Sequence, residues 1–97
     1  MLVVEFQAAP GRTPDLRAAL LELTVATRPE DGCVLYDLHE DVDDPGILVF
    51  YEIWDTAAAH AAHDATPHVQ AFVSRFDELI VGRPRVRRLR RLEPRGA

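Results

Sequence analysis

The chain has 97 residues, 47% of them apolar, with a formal net charge of −5, which supports a single domain spanning 1–97 with a modest core. No apolar run approaches the length of a membrane span, and Met1-Leu2-Val3-Val4-Glu5-Phe6 reads as a strand and not as a signal peptide. The single cysteine, Cys33, excludes an internal disulfide and, beside Val34 and Leu35, reads as a buried thiol suited to a reducing cytoplasm.

Residues 2–9 predict a first strand, broken by Pro10-Gly11. Thr13-Pro14-Asp15 is a helix start, with a hydroxyl cap, proline at the first helical position and an acid in the first turn. Leu16, Ala19, Leu20, Leu23 and Ala26 or Thr27 follow at helical spacing. Arg28 to Gly32 ends that helix, and Cys33 to Val42 predicts a second strand. Asp43-Asp44-Pro45-Gly46 predicts a tight turn into a third strand, Ile47 to Trp54. Asp55 or Thr56 then caps a short alanine-rich helix reaching about Asp64. Thr66-Pro67 starts another, whose stripe of Val69, Phe72, Val73, Phe76, Leu79 and Ile80 predicts one amphipathic helix. Gly82-Arg83-Pro84 stops it, Arg85 to Leu92 predicts a fourth strand, and Pro94 to Ala97 a frayed end. The order β-α-β-β-α-β is that of a ferredoxin-like α+β fold, an antiparallel sheet with helices on one face. The other face needs cover, which a second copy packed across a two-fold axis would supply.

Charge is unevenly spread. Residues 83–95 hold seven arginines and one glutamate, against four arginines and fifteen acids elsewhere. Val86, Leu89 and Leu92 interrupt the basic run and the body is acidic, so an edge strand whose arginines meet acidic groups is expected, and no nucleic-acid partner.

Three of the four histidines and the only tryptophan fall between Glu52 and His68. A strand ending in a large aromatic thus runs into a helix of imidazoles, the groups best able to move protons near neutrality. His68, in the first turn of a helix, is favoured in its neutral form by the helix dipole. If Pro45-Gly46 are the two central turn residues, His39 faces Glu52 across the hairpin and Asp37 faces Trp54. That register predicts a His39–Glu52 couple, with Val34, Tyr36, Leu38, Val49, Tyr51 and Ile53 on the opposite side. His60 and His63 share a helix face but lack a third ligand, so no metal site is expected.

Taken together, Pro10-Gly11, Gly32-Cys33 with Tyr36, Asp44-Pro45, Tyr51-Glu52-Ile53-Trp54, His63, Thr66-Pro67-His68 and Phe72 resemble the antibiotic biosynthesis monooxygenase family, which includes small bacterial quinol monooxygenases. The resemblance implies a dimeric α+β barrel. It implies oxidation of a quinol or polycyclic phenol to a quinone by molecular oxygen, with no cofactor. The catalytic candidates are His63, His39 and Glu52. Trp54, Phe50, Phe72 and His68 are the candidates for holding a small aromatic substrate. The partners implied are that molecule, oxygen and a second copy of the chain, with no membrane. Some relatives that oxidise polyketide phenols use an asparagine on the third strand, four residues before the tryptophan, where this chain has Phe50. Haem-degrading relatives use an asparagine on the first strand. This chain has no asparagine, so any oxygenase chemistry has to rest on histidine. Two other readings remain open: an isomerase or lyase acting on a small oxo compound through a histidine base, and a barrel that binds a small ligand without catalysis.

Overall fold

Four strands and four helical segments follow one another in the computed structural model, which describes residues 1–94. They are β1 (Leu2–Gln7), α1 (Thr13–Thr27), β2 (Cys33–Glu40), β3 (Ile47–Trp54), α2 (Ala57–Asp64), α3 (Pro67–Val73), α4 (Phe76–Leu79) and β4 (Arg85–Arg88). The strands form one antiparallel sheet in the order β2-β3-β1-β4, the ferredoxin-like arrangement. Of the expected frayed end, only Pro94 falls within the described residues; 95–97 lie outside them.

Alternation builds the sheet's two faces. Leu2 and Phe6 of β1, Tyr36 of β2, and Leu48, Phe50, Glu52 and Trp54 of β3 point inward and are buried. Leu16, Leu20 and Leu23 of α1 cover them, with Phe72, Leu79 and Ile80 from the second helical region. Leu16, Leu20, Leu48 and Leu79 are almost wholly enclosed, each burial stabilising the fold by about 2 kcal/mol. The opposite face carries Val3, Leu35, Val49, Tyr51 and Ile53, all half-buried, with no helix over it among the described residues.

The hairpin register differs from expectation. The Asp44–Ile47 turn does form, with Ile47 N–H donating to Asp44 O at 3.0 Å. A second turn precedes it, because Asp41 Oδ1 accepts from the N–H of Asp43 at 2.8 Å and of Asp44 at 3.0 Å. Asp41 itself closes the ladder against Ile47. The chain therefore reverses over a longer loop, and His39 pairs with Val49, three residues from Glu52. An odd offset exchanges the faces: Tyr36 and Leu38 stand opposite Glu52 and Phe50, while His39 and Asp37 stand opposite Val49 and Tyr51.

The second helical region is interrupted at Ser74 and Arg75. Ser74 Oγ–H donates to the Ala71 carbonyl at 2.6 Å and Arg75 N–H to the Phe72 carbonyl at 2.9 Å, an i→i+3 closure that tightens the turn. The caps at α2 and α3 are as the sequence predicts, with Thr56 Oγ1 accepting from Ala59 N–H at 3.0 Å and Thr66 Oγ1 from Val69 N–H at 3.4 Å. α1 begins at Thr13 itself, with Arg12 at the cap position and no side-chain cap. β4 is shorter than predicted and exposed. Its Arg85 lies 4.0 Å from Glu5, an exposed pair of little energetic weight.

Candidate active site

Glu52 and Trp54 occupy the last two inward positions of β3. Two residues apart, they share a face, and Trp54 Nε1–H donates to Glu52 Oε1 at 3.0 Å. Only 4% of Glu52 is exposed. Burial pushes its carboxyl above the usual range, partly offset by the Trp54 bond and by His63 and His60. Tyr36 closes one side, its ring edge-on to Trp54 at 6.3 Å and to His63 at 5.4 Å. Burial, reinforced by Glu52, raises the Tyr36 phenol far above its ordinary value, so it remains a neutral wall.

His63 comes from the inward side of α2, buried against Trp54 with ring centroids 4.7 Å apart. Its Nδ1 lies 2.9 Å from Glu30 Oε2, and His68 Nε2 approaches the same oxygen at 2.6 Å. A carboxylate oxygen only accepts, so both imidazoles donate to it. In the neutral ring, a hydrogen on His63 Nδ1 leaves Nε2 with the lone pair. Nε2 makes no hydrogen bond among the described residues and is not a buried orphan, so it is the nitrogen available to the cavity that the ring lines.

Glu30 reaches this position because its loop is pinned. Gly32 turns with φ +81°, a conformation that glycine adopts without cost, and its carbonyl accepts Asp55 N–H at 2.9 Å. The loop before β2 is thereby tied to the start of the segment that carries His63.

A cavity of about 430 Å³ opens beside His63, within the usual size range for small-molecule sites. Val4, Leu23, Val69 and Val86 give it apolar walls, and Glu52, His60, His63, Asp64 and Arg88 bring polar groups to it. A carboxylate and an imidazole with a free nitrogen thus converge on an apolar slot, an arrangement able to take a proton from a weakly acidic hydroxyl.

Of the residues singled out from sequence, His63 and Glu52 line this cavity, while Trp54 packs against both and is not part of its lining. His39 does not. It lies on the other face, with Nδ1 3.2 Å from the Val49 carbonyl, and the expected His39–Glu52 couple is absent because of the hairpin offset. Phe50 is core, packed on Tyr36 at 4.4 Å and on Phe6 at 6.1 Å, and does not line the cavity. Phe72 and His68 instead line a separate outer cavity of about 280 Å³ with Glu22 and Arg75. Sequence reasoning did not find Glu30, Asp64 or Arg88, and weighed His60 only as a metal ligand. Glu30 lies 33 residues before His63 in a charged loop, and no local pattern joins the two. Among the described residues, Glu30, His63 and His68 are also the one group whose ligand atoms lie mutually within 4.8 Å.

Known proteins share this architecture. Residues 1–75 match the family model for antibiotic biosynthesis monooxygenases. The chain is 34% identical over 79 residues to "Putative monooxygenase Rv0793" of Mycobacterium tuberculosis, covering 81% of this chain and 77% of that protein. It is 30% identical over 82 residues to "Putative monooxygenase YcnE" of Bacillus subtilis, covering 82% and 86%. Among solved structures, PA3566 from Pseudomonas aeruginosa superposes with a TM-score of 0.89 at 33% identity, covering 95% and 92% of the two chains. Rv0793 superposes with a TM-score of 0.87 at 32% identity, covering 98% and 96%. The residues that carried the likeness, from Pro10-Gly11 to Phe72, all fall within the matched stretch, and with the sheet order and these superpositions they establish that the chain belongs to the antibiotic biosynthesis monooxygenase family.

Proposed function

We propose that the protein is a cofactor-independent monooxygenase that oxidises a quinol or polycyclic phenol to a quinone with molecular oxygen. The observation that carries this reading is the 2.9 Å contact between His63 Nδ1 and Glu30 Oε2 beside the apolar cavity. The His63 Nδ1–H is held by Glu30, so Nε2 faces the apolar cavity as a base. The substrate hydroxyl gives its proton to Nε2, and Glu30 stabilises the imidazolium that forms. The electron-rich phenolate supplies two electrons to oxygen, and a carbon–oxygen bond forms on the ring. The resulting peroxide takes the proton back from His63. Loss of the ring proton breaks the O–O bond, leaving one oxygen atom as the new carbonyl and releasing the other as water. Glu52, with one oxygen occupied by Trp54, offers the second to a substrate hydroxyl.

The family implies a homodimer, and the half-buried Val3, Leu35, Val49, Tyr51 and Ile53 of the uncovered sheet face support one, since a second sheet would bury them.

The test is oxygen uptake with a panel of hydroquinones and anthrols. His63→Ala is expected to lower kcat by about 10²–10⁴-fold, and Trp54→Phe to weaken it by releasing Glu52. Unchanged rates in both variants would remove the site assignment, and equal turnover without oxygen would point instead to proton-shifting chemistry.

A further inference from the structure

The geometry points to a divalent transition-metal site at Glu30, His63 and His68, in which the ion takes the place of the hydrogen on His63 Nδ1 and that single ring hydrogen moves to Nε2. Three separate segments deliver the ligands: the loop before β2, α2 and α3. Glu30 Oε2, His63 Nδ1 and His68 Nε2 lie mutually within 4.8 Å, with 2.9 and 2.6 Å from the oxygen to the two nitrogens. Four-coordinate zinc, with bonds of about 2.0–2.1 Å, sets its ligand atoms about 3.3 Å apart. The two oxygen–nitrogen edges therefore have to open by about 0.4 and 0.7 Å, and the nitrogen–nitrogen edge already lies within 4.8 Å.

Two imidazoles and one carboxylate suit Zn²⁺ or Co²⁺ and not the all-oxygen preference of Ca²⁺ or Mg²⁺. The His63 side chain is 5% exposed, Glu30 15% and His68 28%. The ion would thus be shielded on the His63 side and reachable on the side of His68, which also lines the outer cavity of about 280 Å³.

A neutral imidazole carries one ring hydrogen. Without metal it sits on His63 Nδ1, bonded to Glu30. With metal on Nδ1 it must sit on Nε2, which then donates into the cavity and cannot accept a proton from substrate. No net proton is lost in this exchange; the ring changes tautomer. Metal binding and base catalysis are therefore mutually exclusive at one side chain, and metal bound at the triangle switches off chemistry in the inner cavity. That consequence rests on the reading of His63 as the base, whereas the site itself does not.

The test uses the full chain, free of affinity tags and chelator-treated. Zinc binding is followed by isothermal titration, cobalt binding by visible absorption, and the His63 ring nitrogens by ¹⁵N NMR. The expected result is one metal per chain with a micromolar or tighter Kd, cobalt bands of a four-coordinate site, and a hydrogen on Nε2 in the zinc-loaded ring. Glu30→Gln and His68→Gln should each weaken binding at least tenfold, while His60→Gln, outside the triangle, should not. His68→Gln serves if Glu30→Gln fails to fold. Binding no tighter than millimolar, affinity unchanged in His68→Gln, or a His63 ring still protonated at Nδ1 with zinc present would overturn the inference. A chain that binds zinc in this way but consumes no oxygen in its metal-free form refutes the monooxygenase reading and leaves the metal site standing.

Discussion

Replacing Glu30 with glutamine tests the site where its geometry is most specific. The carboxylate accepts two charge-assisted bonds, from His63 at 2.9 Å and His68 at 2.6 Å, each contributing about 1.5–3 kcal/mol. Both bonds fall on the one oxygen, Oε2, and glutamine keeps one acceptor oxygen, so both become neutral contacts of about 1 kcal/mol each and lose their charge assistance. His68 can turn to water, but His63 is 96% enclosed and cannot, so its loss is felt in full. The expected net cost is about 2–3 kcal/mol, which for a chain of this size lowers Tm by roughly 10–20 °C. Urea and thermal unfolding by circular dichroism at pH 7.5 and matched protein concentration measure it. A double-mutant cycle with His68→Gln isolates the shared-oxygen contact and should show a coupling of at least about 1 kcal/mol. A Glu30→Gln chain within about 0.5 kcal/mol of the parent, or a coupling near zero, would refute the reasoning that Glu30 holds the imidazoles.

Glu52→Gln should raise stability near neutral pH. Burial lifts the Glu52 carboxyl above its unfolded value, so the contribution of this group to folding is full below the unfolded pKa and is lost as pH rises through the folded one. The advantage of glutamine should therefore shrink as pH falls towards 4.5 in urea titrations, and an advantage that grows on acidification would contradict it. Gly32→Ala should destabilise by at least about 2 kcal/mol, because φ is +81° and a Cβ would sit 2.5 Å from both Ala59 Cβ and Asp55 Oδ1; a neutral outcome in the same assay would show that the loop is not pinned there. Light scattering should give the parent chain twice its monomer mass, and Val49→Glu with Ile53→Glu should halve it. A monomeric parent would remove the dimer reading of the open sheet face.

Periodicity made most of the fold legible, because burial follows strand and helix spacing directly. Leu48, Phe50, Glu52 and Trp54 alternate inward, and Leu16, Leu20 and Leu23 recur along α1. Periodicity does not fix register. The hairpin was misread because a single exposed side chain, Asp41, adds a turn ahead of Pro45-Gly46, and that offset moved His39 to the wrong face. The break at Ser74 and Arg75 was hidden because the apolar stripe runs on through it to Leu79 and Ile80. Trp54, Glu52 and His63 were found because they are local to one strand–helix junction. Glu30 was not found because its partnership with His63 is made only by tertiary packing. The same limit hid the metal triangle: the nearest histidine pair in sequence, His60 and His63, does not form it, and the carboxylate that completes it comes from another loop.

The tie between Gly32 and Asp55 sets the spacing of the acid and the imidazole through one backbone hydrogen bond. Pro29 and Asp31, on either side of Glu30, are exposed, and exposed loops ordinarily accept insertions at little cost. This one would not. A single residue added between Arg28 and Gly32 would leave the core intact while carrying the carboxylate away from His63 and His68. Loop length, a property that no one side chain records, is here as tightly constrained as the imidazoles that the carboxylate holds.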